Sequence, residues 1–236
     1  MEYEVKRWMY RLAMDPDGFN QTLEDMAAKI MCHLNWGDHT HSLDLVPSAW
    51  GLLTQMSPAG PITNVITPLW RIPEIINPWK RAERKRHDKQ QKWWMERLQQ
   101  VRQEMKDGTA KPSFTRQYLE TEATNNLSGD YEASSVLGML ALVGVFTIGG
   151  PLNYFLLAMV YHPEAQARAQ REVDEQLGGR MPCLNDMPKL PYLRGCIKEA
   201  MRWRPNVPTG VAHETEADDY YNGYFIPKGT RILPLD

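Results

Sequence analysis

The sequence predicts a mainly α-helical chain with a small β portion towards its C-terminal end. Three observations carry that reading. Apolar residues recur at three- and four-residue spacing, as in Phe19, Leu23, Met26, Ile30 and Leu34. No formally charged residue falls between Ala133 and Pro163, a run long enough for one very long helix. After Pro205 and Pro208 the pattern becomes β-like, in "GVAHET" and "YFIPKGTRILPL", with an Asn222-Gly223 turn between.

The elements follow in order. "MEYEVKRWMYRLAMD" is charged and amphipathic. It lacks the apolar centre of a signal peptide and is too polar to span a membrane, so no N-terminal anchor is expected. Asp15-Pro16-Asp17-Gly18 separates it from the Phe19 to Leu34 helix, and Gly37 is a plausible stop. Residues 44–78 are expected to be irregular, because Pro47, Pro58, Pro61, Pro68, Pro73 and Pro78 break any long element. Trp50, Leu52, Leu53, Ile62, Val65, Ile66, Leu69, Trp70, Ile72, Ile75 and Ile76 are too apolar for a solvated tether. Short helices packed over a pocket fit better. From Trp79 one long exposed helix is predicted, with Trp94, Leu98, Val101 and Met105 as its buried stripe and Gly108 as its end. Its basic cluster (Lys80, Arg81, Arg84, Lys85, Arg86, Lys89 and Lys92) reads as a solvated face, with an acidic membrane or protein partner as the alternative.

Residues 136–160 are long and apolar enough to cross a bilayer, and a helix buried in a large core would look the same. Gly149-Gly150-Pro151 should kink or interrupt this segment. Pro163 suits the first turn of a further helix, with Ala165, Ala169, Val173 and Leu177 on one face and Gly178-Gly179 as the stop. The last helix, 190–204, should turn Leu193, Ile197, Ala200 and Met201 inward.

Composition narrows the class. With 236 residues, 42% hydrophobic and 24% charged, the chain reads as globular, one large domain or two small ones. A net charge of −2 argues against a dedicated nucleic-acid binder. The spacing of Cys32, Cys183 and Cys196 fits neither a disulfide framework nor a zinc site, and they read as buried or incidental thiols in a reducing compartment.

"FLLAMVYHPEAQARAQREVDEQLG" followed by "LPYLRGCIKEAMRWRPNVPTGVAHETEADDYYNGYFIPKGT" resembles the cytochrome P450 family, the haem-thiolate monooxygenases, in its fungal secondary-metabolism form. A lone Glu-x-x-Arg is weak. In order with the His-Pro-Glu helix start, the Pro-x-x-Pro turn and "GYFIPKGT" it is very specific. "HLNWG" and "PWKRAERKR…MKDGTAKPSF" look like the family's middle helices, so the likeness extends over nearly the whole chain.

The resemblance implies one partial cytochrome P450 domain over 1–236: a pocket-covering segment at 44–78, the central helix at 130–161 that crosses the haem face, and the Glu-x-x-Arg helix at 190–204. It places Gly144, Phe146 and Thr147 on the central helix's glycine, relay-acid and threonine positions. Phenylalanine cannot relay protons, and a helix threonine often bonds only its own backbone. His213 matches a haem-propionate partner, with Gly144 as the other cofactor-side residue. Phe146, Val207, Thr209 and Val211 match pocket-lining positions. Glu199 and Arg202 match a buried clamp, completed in the family by a further arginine beyond Asp236. The family's Phe-x-x-Gly-x-Arg-x-Cys-x-Gly loop, whose thiolate holds the haem iron, also falls beyond Asp236.

The implied activity is haem-dependent oxidation of a small organic secondary metabolite. Without the thiolate and the relay acid, the chain is expected not to run that cycle alone and not to hold haem stably. A haem-free, redox-neutral cyclase or isomerase on the same scaffold and a non-catalytic partner protein are the alternatives. A small-molecule substrate, a reductase or other protein partner and peripheral membrane contact are implied, with no nucleic acid and no transmembrane span. The implied location is the cytoplasm or the surface of the endoplasmic reticulum.

Overall fold

The computed structural model describes residues 1–56, 60–64, 66–121, 127–208, 210 and 213–233, apart from the side chains of residues 56, 64, 67 and 70. Contacts within the chain gather into two compact units, 1–149 and 150–236, which meet in sequence inside one helix.

The first unit is helical. Helix α1 (Glu2–Met14) is followed by α2 (Phe19–Trp36), which stops at Gly37 in the left-handed conformation (φ 82°). Leu23, Met26 and Ile30 are buried as their spacing requires. Helix α3 (Ser42–Met56) corrects the expectation of irregular chain from residue 44: Pro47 lies inside a regular helix. Its ring removes only the bond to the carbonyl four residues back, at the exposed start of the helix, so the helix survives. Short 3-10 turns follow at Ile62–Asn64, Thr67–Arg71 and Glu74–Ile76.

Helix α4 (Pro78–Lys106) starts at Asn77, whose side-chain oxygen accepts the Lys80 N–H at 3.0 Å, with Pro78 pre-set for the first turn. Trp94, Leu98 and Val101 are buried as expected, whereas Met105 is only half-buried. Gln90 and Gln91, outside the apolar pattern, are buried because they tie α4 to its neighbours. Gln90 donates to Ser48 Oγ at 2.6 Å, and Gln91 to Ser134 Oγ at 2.9 Å and to the Tyr131 carbonyl at 3.1 Å. After α5 (Phe114–Glu120) comes the long α6 (Asp130–Tyr161), unbroken at Gly149-Gly150-Pro151.

The core of this unit joins Ala27, Ala28, Met31, Cys32 and Trp36 of α2 with Leu45 and Ala49 of α3, Trp94 and Val101 of α4, and Ala141, Leu142 and Val145 of α6. Two glycines set how closely α6 approaches. A Cβ at Gly138 would lie 2.2 Å from Cδ2 of Trp94, and one at Gly144 would lie 2.3 Å from Cε of Met31. No side chain fits at either position without displacing its neighbour.

Among the described residues, the second unit contains the end of α6, α7 (Pro163–Leu177), a 3-10 turn at Leu184–Lys189, α8 (Pro191–Trp203) and four short strands. Ala158, Met159 and Ala200 form its small core, with Phe155 and Cys196 against it. Helix α8 has no side-chain N-cap of its own. Glu172 of α7 does that work, its carboxylate accepting the Tyr192 and Leu193 N–H groups at 2.9 Å each. Arg180 donates to both carboxylate oxygens of Asp186, which also accepts the Cys183 N–H at 3.0 Å. The Arg180 bond, then that N–H, hold the Asp186 carboxyl well below the usual carboxylate range. Strand β1 (His213–Glu214) pairs antiparallel with β4 (Arg231–Ile232), and β2 (Asp219–Tyr221) with β3 (Tyr224–Ile226). Asn222 (φ 50°) and Gly223 (φ 84°) form the two-residue loop of the second pair, where both positive angles match the strand twist.

Gly138→Ala should lower stability by about 1–3 kcal/mol in chemical denaturation, because the methyl enters a filled space. Gly195→Ala in α8, where an added Cβ meets nothing within 4 Å among the described residues, should instead raise it by up to about 1 kcal/mol. Equal effects from the two substitutions would contradict this packing.

Candidate functional site

Helix α6 has two apolar faces. Ala133, Leu137, Ala141 and Val145, spaced by four, are buried in the first unit. On the opposite side Val136, Met139, Leu140 and Val143 are exposed, at the three- and four-residue spacing of a single stripe. Thr147 lies one turn further along it and is exposed as well. This bare stripe, with the half-buried Phe146 beside its end, is the candidate site.

Gly144, Phe146 and Thr147 stand within one turn of the helix, and each makes a definite contact. The backbone at Gly144 lies against Met31. The Phe146 ring meets that of Trp50 edge-on, with centroids 4.7 Å apart and planes 70° apart. Sequence patterning gave no sign of that Trp50 contact, because the two residues are 96 positions apart. The Thr147 hydroxyl donates to the carbonyl of Val143 at 3.2 Å, with that of Gly144 at 3.4 Å. Both contacts are to its own helix, the back-bond that helix threonines commonly make.

The remaining expected residues belong to the second unit. Val207 is exposed in a turn where its carbonyl accepts the Gly210 N–H at 2.9 Å. His213 is exposed on β1, opposite Ile232 of β4. Thr209 and Val211 lie outside the described residues.

Glu199 and Arg202 do pair. The guanidinium donates to both carboxylate oxygens, at 2.8 and 2.5 Å, and that bond holds the Glu199 carboxyl below its ordinary range. In this chain the pair is not buried: the Glu199 and Arg202 side chains are 61% and 72% exposed. The reason is helical phase. Cys196 and Ala200 define the inward stripe of α8, and Arg202 points well away from it. The same phase leaves Met201 exposed rather than inward.

Much of the basic cluster on α4 has local partners. Arg84 grips both oxygens of Glu74 at 2.7 and 2.8 Å, Arg86 pairs with Glu83, and Lys80 and Arg81 donate to the carbonyls of Ile72 and Ile75. These contacts favour a solvated face braced against the preceding turns.

None of the cysteines is placed to ligate a haem iron. Cys32 is fully buried in the apolar core. Burial, with Asp38 second, pushes its thiol up to about 12, whereas iron ligation requires a thiolate. Cys183 donates its S–H to Asp186 at 3.2 Å. Cys196 packs against the small core of the second unit. The cysteines present therefore do not fit haem-thiolate ligation.

The chain belongs to the cytochrome P450 family, whose sequence signature matches residues 26–235. Curated relatives come from fungi. Cytochrome P450 monooxygenase fogE of Aspergillus ruber is 30% identical over 98% of this chain and 44% of its own length. Cytochrome P450 monooxygenase iboC of Amanita muscaria is 41% identical over 58% of this chain and 24% of its own. Cytochrome P450 monooxygenase virE of Hypocrea virens is 35% identical over 70% and 30%. The chain thus spans less than half the length of these relatives.

Because the Glu199–Arg202 pair is solvated, Glu199→Gln and Arg202→Gln should each leave the denaturation midpoint within measurement error of the parent. A large drop in either variant would show that the pair is buried, as in a scaffold clamp.

Proposed function

We propose that this chain forms the substrate side of a haem-dependent monooxygenase acting on a small, largely apolar secondary metabolite. One observation carries the reading: the exposed stripe of Val136, Met139, Leu140 and Val143 on the central helix, ending at Phe146 and Thr147. In the cytochrome P450 family this helix crosses the haem face, and haem supplies the oxygen-activating chemistry there. The stripe offers an apolar surface against which a substrate gives up its water shell. Phe146, fixed by Trp50, narrows the end of that surface and gives it shape.

Proton delivery is the step these residues do not support. Phe146 stands where the family has an acid and has no titratable group, and the Thr147 hydroxyl back-bonds to its own helix carbonyls. With no thiol placed as an iron ligand, we propose that the 236 residues neither hold haem nor turn over by themselves. A reductase and the surface of the endoplasmic reticulum are the partner and location the family implies. The helix is long and apolar enough to cross a membrane. Its packing in the first unit supports a place inside the domain instead.

Phe146 also favours a second reading, in which the pocket reshapes a reactive intermediate without redox chemistry, as a cyclase or isomerase. As a third, the bare stripe could be covered by another protein.

The chain expressed with haem supplied should show no thiolate-type Soret band when reduced under carbon monoxide. A strong band of that type would overturn the proposal that the chain does not carry its own ligand.

A further inference from the structure

Three side chains that play no part in the site above converge in the first unit. Glu4 comes from α1, His33 from the last turn of α2, and His39 from the loop just past Gly37. His33 Nε2 is 3.9 Å from Glu4 Oε1 and 3.0 Å from His39 Nδ1, and one donor atom from each residue lies within 4.8 Å of the other two.

The carboxylate makes this more than a chance cluster. The Glu4 side chain is only 4% exposed, and its Oε1 atom is buried without a hydrogen-bond partner among the described residues. A buried carboxylate oxygen with nothing to satisfy it is costly, and such an oxygen facing two imidazoles invites a cation. Two of the nearby cations are committed elsewhere: Arg11 and Lys29 both bind Asp25, at 2.7 and 2.5 Å. The neighbouring Asp38 accepts from Thr40 and Gln100, and His41 meets Arg97.

We propose that Glu4, His33 and His39 form a site for a divalent transition ion of the zinc class. Two imidazoles and one carboxylate are an ordinary donor set for zinc, at about 2.0–2.2 Å per bond. Tetrahedral ligands at that range stand roughly 3.3–3.5 Å apart. The two distances given above, 3.9 and 3.0 Å, bracket that edge. Both histidines are partly exposed, so an ion can enter from solvent and keep water in the fourth position. The ion would pin α1 to the end of α2 and to the loop leading into α3. The site is separate from the α6 stripe, and it stands or falls independently of the monooxygenase reading.

The test uses the whole chain without a histidine tag, stripped of metal and titrated with cobalt(II) as a spectroscopic stand-in. One ion should bind per chain with visible d–d absorption, and zinc should displace it. His39→Ala and Glu4→Gln should each weaken binding at least about tenfold, since loss of a ligand costs no less than loss of an outer-shell partner. Zinc should raise the thermal midpoint of the parent but not that of His39→Ala. That substitution lies in a loop, so its metal-free midpoint should match the parent's. No uptake at one ion per chain, or equal uptake by both variants and the parent, would overturn the proposal.

Discussion

The close approach of α6 to α2 and α4 is the constraint on which the rest of the first unit depends. With no side chain at Gly138, the helix rests directly on the Trp94 ring, and with none at Gly144 it rests on Met31. These two contacts fix its rotation. Once they are made, Ala141, Leu142 and Val145 must face the core, while Val136, Leu140 and Val143 must face away from it. The same phase sets Phe146 against Trp50 and turns Thr147 outward. The candidate site is thus a consequence of packing on the other side of the helix.

Much of this was legible in the sequence because helices advertise themselves. The Phe19 to Leu34 periodicity and Gly37 mark α2, His162-Pro163 and Gly178 bound α7, and Asn222-Gly223 closes the β2–β3 loop, each by a local rule. Helix α3 was not legible, because Pro47 argues for a break and only the position of the ring near the helix start shows it to be harmless. The buried Gln90 and Gln91 were hidden for a different reason. Their partners Ser48, Tyr131 and Ser134 lie about forty residues away, and a polar residue shows its burial only when those partners are known.

The site was legible by kinship more than by physics. Family resemblance singled out Gly144, Phe146, Thr147 and the Glu199–Arg202 pair. What each residue does came from geometry: a glycine that admits a methionine, an aromatic edge contact, a hydroxyl turned back on its helix, and an ion pair in solvent. The Glu4, His33 and His39 cluster had no sequence signal at all, since the carboxylate comes from α1, the imidazoles from the end of α2 and the loop after it, and no spacing rule joins them.

The central claim is that α6 carries a buried face and a bare apolar face in the same stretch of helix. It is tested most directly by placing a charge on each and comparing stability. Leu140 is 47% exposed and Leu142 is 1% exposed. Leu140→Asp should leave the chemical-denaturation midpoint near that of the parent while reducing the binding of an apolar dye. Leu142→Asp should unfold the first unit, because an unpaired carboxylate in that core has no partner. Equal destabilisation by both substitutions would contradict the account.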